Sequence, residues 1–244
     1  MKNELEYRER LNEKLSVIHR RDGVGTTTDA LLLAAMLPTS AGSSCELGAG
    51  GGLISLLAAH REKIEIGVLV EREPILCELA ERNIRENGLM ERLSVFCADL
   101  RQSLPTRRFD TVFANPPYRR AGEGCPAREH LADISRFERA GGILDFCQAA
   151  AALLTDRGRF YTVFPATRRK ELSAALTAAG LSILRTVRVL PYPDGAASLI
   201  LTEAGRLAGA QKEECFTLCR GRGGAPTAEA ERLYADGILI TEGE

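Results

Sequence analysis

The 244-residue sequence lacks the features that mark a membrane-spanning, secreted or metal-binding protein. No uncharged apolar stretch approaches the roughly 20 residues that cross a bilayer, and no basic opening leads into an apolar run with a small-residue cleavage site. The three histidines, His19, His60 and His130, form no visible ligand set. We therefore expect a cytoplasmic protein that uses neither a membrane nor a metal.

A disulfide framework is also missing from the sequence. The seven cysteines are odd in number and lie mostly inside apolar runs, so we expect reduced thiols in the core. The one close pair, Cys215 and Cys219 in "CFTLC", has no second Cys or His pair nearby, which favours a strand interior over a zinc site.

The chain has no excess of charge of either sign. Its net charge of -1 gives no overall attraction to nucleic acid, although arginines cluster in "HRR", "YRR", "SRFER" and "TRRK". These clusters fit either solvated helix faces or local contacts with an anionic partner. With 45% hydrophobic residues, the chain has enough apolar material for one substantial core or two modest ones.

From Ser43 onward, short apolar runs alternate with helical patterns and no repeat or linker interrupts them, which indicates a wound α/β sheet. The runs predict seven strands in a mainly parallel sheet with helices on both faces. The turn "PYPDGA" joins the last two strands and predicts an antiparallel hairpin at one edge of the sheet. The tail from Gln211 is most simply an addition to that edge.

The segment before the sheet, "TTTDALLLAAML", predicts a helix that Thr28 or Asp29 caps and Pro38 ends. We predict two parts: an N-terminal segment with this capping helix over residues 1–40, and a catalytic domain over residues 41–244 on which it packs.

A glycine-rich turn follows the first strand of the sheet. In "CELGAGGGLISLL", Gly48 and Gly50 come directly after a strand and before a helix, where residues without a Cβ let backbone amides approach a ligand. A tight turn with no ligand is the alternative. Glu46 at the loop entrance would repel a pyrophosphate, but would suit an ammonium group or the orientation of loop amides.

Two further acids stand at the ends of the next two predicted strands. Glu71 follows the glycine loop by about 20 residues, where a carboxylate accepts from both hydroxyls of a ribose. Asp99 in "FCADL" is placed to accept from an exocyclic amino group such as that of adenine. Three acids at successive strand ends favour an adenosine that carries a positive charge.

The fourth strand, "FDTVFAN", ends in Asn115-Pro116-Pro117-Tyr118. The two prolines restrict the backbone and hold the Asn115 side chain and the Pro116 carbonyl in one fixed relation. Both groups accept hydrogen bonds, so together they suit a planar NH2 group, while the Tyr118 ring offers a face for stacking. Accepting both protons directs the nitrogen lone pair toward an electrophile without a strong base.

In this order, "ELGAGGG", the acid of "LVE", "CAD" and "NPPY" resemble the class I S-adenosylmethionine-dependent methyltransferases, with a Rossmann-like fold, that modify exocyclic or amide nitrogens. Along its whole length the chain resembles the bacterial tRNA1(Val) (adenine37-N6)-methyltransferase group within them. Three more segments extend this likeness: "TTTDALLLAAM" before the glycine loop, and "PYPDGAASLILTEA" and "APTAEAERLYADG" in the C-terminal part. Two departures are Gly51, where Thr or Ser is usual, and Phe137, where the group has His.

The resemblance implies S-adenosylmethionine as cofactor and a tRNA adenine N6 as target. It assigns Glu71 to the ribose, Asp99 to the cofactor adenine, and Gly48, Gly50 and Glu46 to the loop on the methionine side. Asp29 is a further cofactor-pocket candidate, although a helix cap explains it equally well. The target amine falls to Asn115, which also borders the cofactor, and to Pro116 and Tyr118, and the RNA phosphates to Arg119, Arg120 and Arg136.

Several alternatives stay open at this stage. One is a protein glutamine-N5 methyltransferase, because the lone pair of a glutamine amide nitrogen is also delocalised and needs the same acceptors. Methylation of guanine N2 is a further possibility. A DNA adenine methyltransferase would need a target-recognition domain for which no segment is available. An RNA-binding module without cofactor and a dinucleotide-dependent oxidoreductase are the remaining classes, and the latter gives no account of the Asn-Pro-Pro-Tyr motif. We expect a monomer or weak dimer.

Overall fold

The computed structural model describes residues 5–117 and 142–243. They contain six α-helices and eleven strands, with one 3-10 turn at Ala166–Arg168. The helices are α1 (Thr28–Met36), α2 (Leu53–His60), α3 (Pro74–Glu86), α4 (Ile143–Leu153), α5 (Arg169–Ala178) and α6 (Ala228–Asp236). The strands are β1 (Glu6–Arg10), β2 (Ser16–Arg20), β3 (Ser43–Leu47), β4 (Ile66–Glu71), β5 (Leu93–Cys97), β6 (Phe109–Ala114), β7 (Leu154–Pro165), β8 (Ser182–Leu190), β9 (Leu199–Gly205), β10 (Lys212–Thr217) and β11 (Glu242–Gly243).

The main sheet of the described residues has nine strands in the order β11-β10-β8-β9-β7-β6-β3-β4-β5. Strands β3, β4, β5, β6 and β7 pair in parallel, and β9 lies antiparallel to both β7 and β8. The predicted mainly parallel α/β sheet is therefore confirmed. Its carboxyl ends meet at one edge, which gathers the residues that follow the strands.

The predicted C-terminal hairpin forms, but its position at the edge is wrong. Strands β8 and β9 pair as expected, yet β10 from the tail adds to β8 in parallel and β11 adds to β10. The free edge of β8 would otherwise present unpaired backbone groups. The tail after Gln211 covers it and brings the sheet to nine strands rather than seven.

Helices cover both faces of the sheet and divide the core in two. One cluster of buried apolar side chains joins α1, α2, α6 and part of α3 to the sheet, and the other joins α4 and α5 to the opposite strand positions. Strand side chains alternate between the two faces, so a strand such as β6 contributes to both clusters. Phe113 belongs to the first cluster and its neighbour Val112 to the second, and both are fully buried.

The helix ends follow the sequence signals, with one correction. Helix α3 begins with Pro74 at its first turn and ends before Gly88, which has a φ of 67°. The predicted caps of α1, Thr28 and Asp29, are wrong: Thr27 is the N-cap, because it has extended backbone angles and its side chain accepts from the Ala30 amide.

A two-stranded antiparallel sheet precedes α1. Strands β1 and β2 pair from Glu6 with Arg20 to Arg10 with Ser16. Arg82 of α3 forms an ion pair with Glu6 at 2.6 Å, which ties this hairpin to the helix. The sequence predicts no strands here, because both segments are rich in charged residues.

The expectation of reduced core thiols is wrong for one pair. Cys77 and Cys97 form a disulfide, with their Cα atoms 5.9 Å apart. Cys77 is the fourth residue of α3, and Cys97 ends β5, the strand that follows this helix. The packing of the helix against the strand brings the two cysteines together. Among the described cysteines, Cys45 and Cys147 are free and buried.

Candidate functional site

A cleft of about 200 Å³ opens at the carboxyl ends of the parallel strands. Its lining comes from the second strand of the N-terminal hairpin with the loop after it, from the glycine loop after β3, and from residues that follow β4, β5 and β6. Residues at the starts of α1, α2, α3 and α4 complete it. Six of the residues predicted from the sequence as site residues line this cleft: Glu46, Gly48, Gly50, Glu71, Asp99 and Asn115. The wound sheet thus brings together residues that are up to 69 positions apart, from Glu46 to Asn115.

The glycine loop presents its backbone to this cleft. Gly48 and Gly50 have φ angles of 69° and 56°, a region that favours glycine. A Cβ on Gly48 would stand 3.1 Å from Cε1 of Phe146, whereas the Cβ position of Gly50 faces open space. A ligand can therefore approach the backbone most closely at Gly50.

Glu46 is buried beneath the glycine loop rather than held out toward solvent. Its side chain accepts from the Ser55 backbone N–H at 3.1 Å and from the Ser55 hydroxyl. Burial raises the pKa of this carboxyl to about 8, against the opposing effect of the Ser55 hydrogen bonds. Of the two roles predicted for Glu46, these contacts favour the orientation of the loop and the first turn of α2.

Glu71 connects the end of β4 to the glycine loop. Its Oε2 accepts from the Gly50 N–H at 2.7 Å, and its Oε1 accepts from the backbone N–H groups of Arg72 and Glu73 at 2.8 and 2.9 Å. Burial raises the pKa of Glu71, and these three hydrogen bonds oppose that rise. Each carboxylate oxygen has two lone pairs, so Oε1 is fully used by its two donors and Oε2 can still accept one hydrogen bond from a ligand.

Asp99 follows β5 and is already engaged by an arginine. The Arg101 side chain donates to Oδ1 at 3.0 Å and to Oδ2 at 2.6 Å. These bonds, first among the causes, lower the pKa of Asp99 to about 2. The carboxylate is therefore ionised at neutral pH, and a ligand amino group would share it with Arg101.

Asn115 directly follows β6, and its Oδ1 is buried. That oxygen accepts no hydrogen bond from any residue in the two described ranges. Asn115 and Pro117 line the cleft, with Pro116 buried between them. A buried acceptor without a hydrogen-bond partner costs free energy, so a ligand that donates a hydrogen bond to the Asn115 Oδ1 would be favoured in this cleft.

Asp29 lies in the first turn of α1, between two residues that line the cleft, Thr27 and Ala30. Its role toward a cofactor stays a prediction. Tyr118, Arg119, Arg120 and Arg136 lie outside the described residues, so their predicted roles also stay predictions.

The "TRRK" cluster is engaged within the protein. Arg168 pairs with Glu171 and lies over the Phe164 ring at 5.0 Å. Arg169 pairs with Glu213 through two contacts of 2.7 and 2.8 Å. These intramolecular pairs favour the solvated-face interpretation over a continued phosphate-binding track.

Two contributors to the site were missed from the sequence. The hairpin strand β2 supplies Ile18, His19 and Arg20 to the cleft wall, although "HRR" was interpreted as a charged cluster. Arg101 donates to Asp99, the acid predicted to bind the adenine of the cofactor. The position of Arg101 two residues after Asp99 is the feature of the sequence that could have indicated this contact. A short loop after a strand places such i, i+2 side chains close together.

Residues 5–117 and 142–243 contain no group of three or more His, Cys, Asp or Glu side chains placed to hold a metal ion. They also contain no helix with the length and apolar character needed to span a bilayer.

Solved structures with the same fold include several methyltransferases. A predicted O-methyltransferase from Agrobacterium tumefaciens superposes with a TM-score of 0.68 at 23% identity, over 87% of this chain and 98% of that one. TYW2 of Pyrococcus horikoshii, solved in complex with MeSAdo, gives a TM-score of 0.58 at 13% identity, over 84% and 73% of the two chains. At these identities the likeness establishes the fold.

Sequence relatives are more specific. The chain is 30% identical over 164 residues to a tRNA1(Val) (adenine(37)-N6)-methyltransferase of Actinobacillus succinogenes, which covers 66% of this chain and 69% of that protein. A protein of the same name from Escherichia fergusonii is 32% identical over 155 residues, or 61% and 62% of the two chains. The matched part thus spans less than two thirds of the second relative. The family model of the methyltransferase small domain matches residues 15–179, and the chain belongs to that family.

Proposed function

We propose that this protein transfers a methyl group from S-adenosylmethionine to the exocyclic N6 of an adenine in tRNA, at position 37 of a valine tRNA. The observation that carries the proposal is the buried Oδ1 of Asn115, which lacks a donor within the described residues and lies in the same cleft as Glu71 and Asp99. The relatives named tRNA1(Val) (adenine(37)-N6)-methyltransferases support the choice of substrate.

The residues of the cleft suit S-adenosylmethionine. Glu71 offers the remaining lone pair of Oε2 to a ribose hydroxyl, and ionised Asp99 offers an acceptor to the adenine amino group. The open space at Gly50 admits the methionine side of the cofactor against the loop backbone. When bound, the cofactor supplies a methyl group on a positively charged sulfur, an electrophile that needs no further activation.

The protein's own contribution to the reaction is to hold the target amine. The Asn115 side-chain oxygen and the Pro116 carbonyl each accept a hydrogen bond from the NH2 group, and the prolines restrict the backbone that carries both acceptors. The hydrogen bonds draw electron density to the nitrogen, which otherwise delocalises its lone pair into the adenine ring. Positioning of this kind contributes roughly 7 to 11 kcal/mol in well-oriented systems.

The remaining roles belong to residues around this centre. Tyr118 stacks on the target base, and Arg119, Arg120 and Arg136 contact RNA phosphates. The protein works in the cytoplasm, as a monomer or weak dimer, on tRNA. Residues 1–40 form the N-terminal segment that packs on the methyltransferase domain of residues 41–244.

The test is transfer of labelled methyl from S-adenosylmethionine to unmodified tRNA, followed by mass analysis of the nucleosides. The wild-type protein should yield N6-methyladenosine, and Asn115→Ala should lower the rate by about two orders of magnitude, as for loss of one preorganised transition-state contact. Asn115→Asp is the matched variant, because it keeps an oxygen acceptor in the same place and should retain more activity than the alanine variant.

Other outcomes redirect the assignment. Label on the glutamine of a release-factor protein instead of tRNA would establish the protein glutamine-N5 alternative, and N2-methylguanosine would establish guanine as the target. Full activity of Asn115→Ala would refute the role of the amide in any of these reactions.

A further inference from the structure

Two asparagines, Asn83 on α3 and Asn87 at its C-cap, hold the edge of the N-terminal hairpin. The Asn83 Oδ1 accepts from the Ile18 N–H at 2.8 Å, and its Nδ2 donates to the Ile18 carbonyl at 3.1 Å. One helical turn later, Asn87 does the same with Ser16, at 3.2 and 2.8 Å. The side chains stand four residues apart on α3 and contact alternate residues of β2, so they act as the hydrogen-bonding edge of a neighbouring strand.

Asn83 makes one further contact that concerns the cleft. Its Nδ2 also donates to the Gly51 carbonyl of the glycine loop at 2.9 Å. The residue is 0% exposed, and its two bonds with Ile18 are buried while the bond with Gly51 is partly buried. Asn87 contacts the hairpin and the Asn83 carbonyl, and within the described residues none of its hydrogen bonds reaches the glycine loop.

The two segments that Asn83 joins are both walls of the cleft. Ile18, with the two residues after it, lines the cleft from the hairpin, and Gly51 with the loop residues before it lines the cleft from β3. The hairpin belongs to a separate two-stranded sheet, so no ladder of backbone hydrogen bonds fixes its distance from the glycine loop. The Asn83 amide instead hydrogen-bonds to both segments directly.

We propose that Asn83 is a positioning residue of the cofactor site, which fixes the N-terminal hairpin and the glycine loop in the relative geometry that S-adenosylmethionine requires. The inference rests on the proposed function, since it names the cofactor as the ligand of the cleft. It makes the hairpin a functional wall of the site rather than a peripheral addition to the fold.

The decisive comparison is Asn83→Ala with Asn87→Ala. Both substitutions remove an α3 amide that holds β2, but only the first removes the contact with Gly51. Equilibrium titration with S-adenosylmethionine should show a Kd raised about tenfold by Asn83→Ala, the effect of one lost buried hydrogen bond, and changed less than threefold by Asn87→Ala.

Steady-state kinetics separate positioning from loss of folded protein. Asn83→Ala should raise KM for S-adenosylmethionine while kcat at saturating cofactor stays within about threefold of wild type. Partial unfolding would instead lower kcat and the number of binding sites without changing Kd. Equal effects of the two variants on Kd, or no effect of Asn83→Ala, would overturn the proposal.

A measurement on the wild-type protein covers the case in which Asn83→Ala does not fold. Saturating S-adenosylmethionine should slow hydrogen exchange of the β2 amides together with those of the glycine loop, because both walls close on one ligand. Protection of the glycine loop alone would overturn the proposal. Absence of any cofactor binding by the wild-type protein would overturn the proposed function itself, and this inference with it.

Discussion

Reduction of the disulfide between Cys77 and Cys97 should lower the stability of the protein by a calculable amount. The bond links α3 to the end of β5 and joins residues 20 positions apart. In the chain-entropy treatment, a closed loop of about this length restricts the unfolded state by about 3 kcal/mol at 25 °C. Reduction returns that freedom to the unfolded chain and leaves the folded packing of both elements in place.

The expected shift is large enough for a routine thermal melt. For chains of about this length, 1 kcal/mol corresponds to a change in Tm of about 2–4 °C. Treatment with a phosphine reductant should therefore lower the Tm of the wild-type protein by about 6–12 °C. The double variant Cys77→Ser with Cys97→Ser should melt near the reduced wild-type protein and should not respond to the reductant.

Alkylation of the denatured protein provides the chemical control. Without prior reduction, five of the seven cysteines should react, and all seven should react after reduction. Before denaturation, buried Cys147 should not exchange into the bond, because burial in the folded protein raises its pKa to about 12 and keeps it a thiol. Seven labelled cysteines without reduction would show that the bond does not form. A bond that forms but leaves the Tm unchanged on reduction would refute the entropy argument.

Three further predictions concern single side chains. Lys63 donates to the carbonyls of three residues at the end of α1, at 2.6 to 3.2 Å. Lys63→Met should therefore lower the free energy of unfolding by about 2 kcal/mol. The control Lys170→Met, at an exposed lysine, should leave it unchanged. Burial raises the pKa of Glu46 from 4.5 to about 8, so the stabilising contribution of the protonated carboxyl is complete below pH 4.5 and is lost as the pH rises to about 8. Urea unfolding should therefore show that the wild-type protein loses stability relative to Glu46→Gln across this pH range. Glu substitutions at Arg119 and Arg120 should weaken tRNA binding and reduce the salt slope by about one per phosphate contact.

Each of these has a contradicting result. Equal stability of the Lys63 and Lys170 variants would show that the α1 carbonyls find other partners. A difference between wild type and Glu46→Gln that is constant from pH 5 to 8 would show that Glu46 is not protonated in the folded state. An unchanged salt slope would return the two arginines to the solvated-face interpretation.

The sheet and the position of the cleft were predictable because parallel strands impose them. Each strand from β3 to β6 is a short apolar run, and residues just after such strands meet at one edge of the sheet. Glu71, Asp99 and Asn115 therefore share a cleft, as their places after successive strands predicted. Their contacts with ligands stay predictions.

What the sequence did not predict depends on contacts between distant residues. Strands β1 and β2 carry "EYRER" and "SVIHR", in which charged residues obscure the alternation typical of a half-buried strand. The hairpin is stabilised by ion pairs and amides from α3, more than 60 positions away along the chain. The disulfide was missed for the same reason, because a separation of 20 residues indicates a bond only when the helix and strand are known to pack.

Asn83 and Asn87 show how a site can depend on residues that carry no sequence signal for chemistry. In "ERNIREN" their spacing places both amides on one face of α3, which in a surface helix would be an ordinary polar face. Asn83 is nevertheless fully buried, and a buried amide must have hydrogen-bond partners. Those partners are the backbones of the two cleft walls, so the cost of burying the amide is offset only when the hairpin and the glycine loop are both in place. The geometry of the cofactor cleft and the folding of the N-terminal hairpin therefore depend on the same three hydrogen bonds.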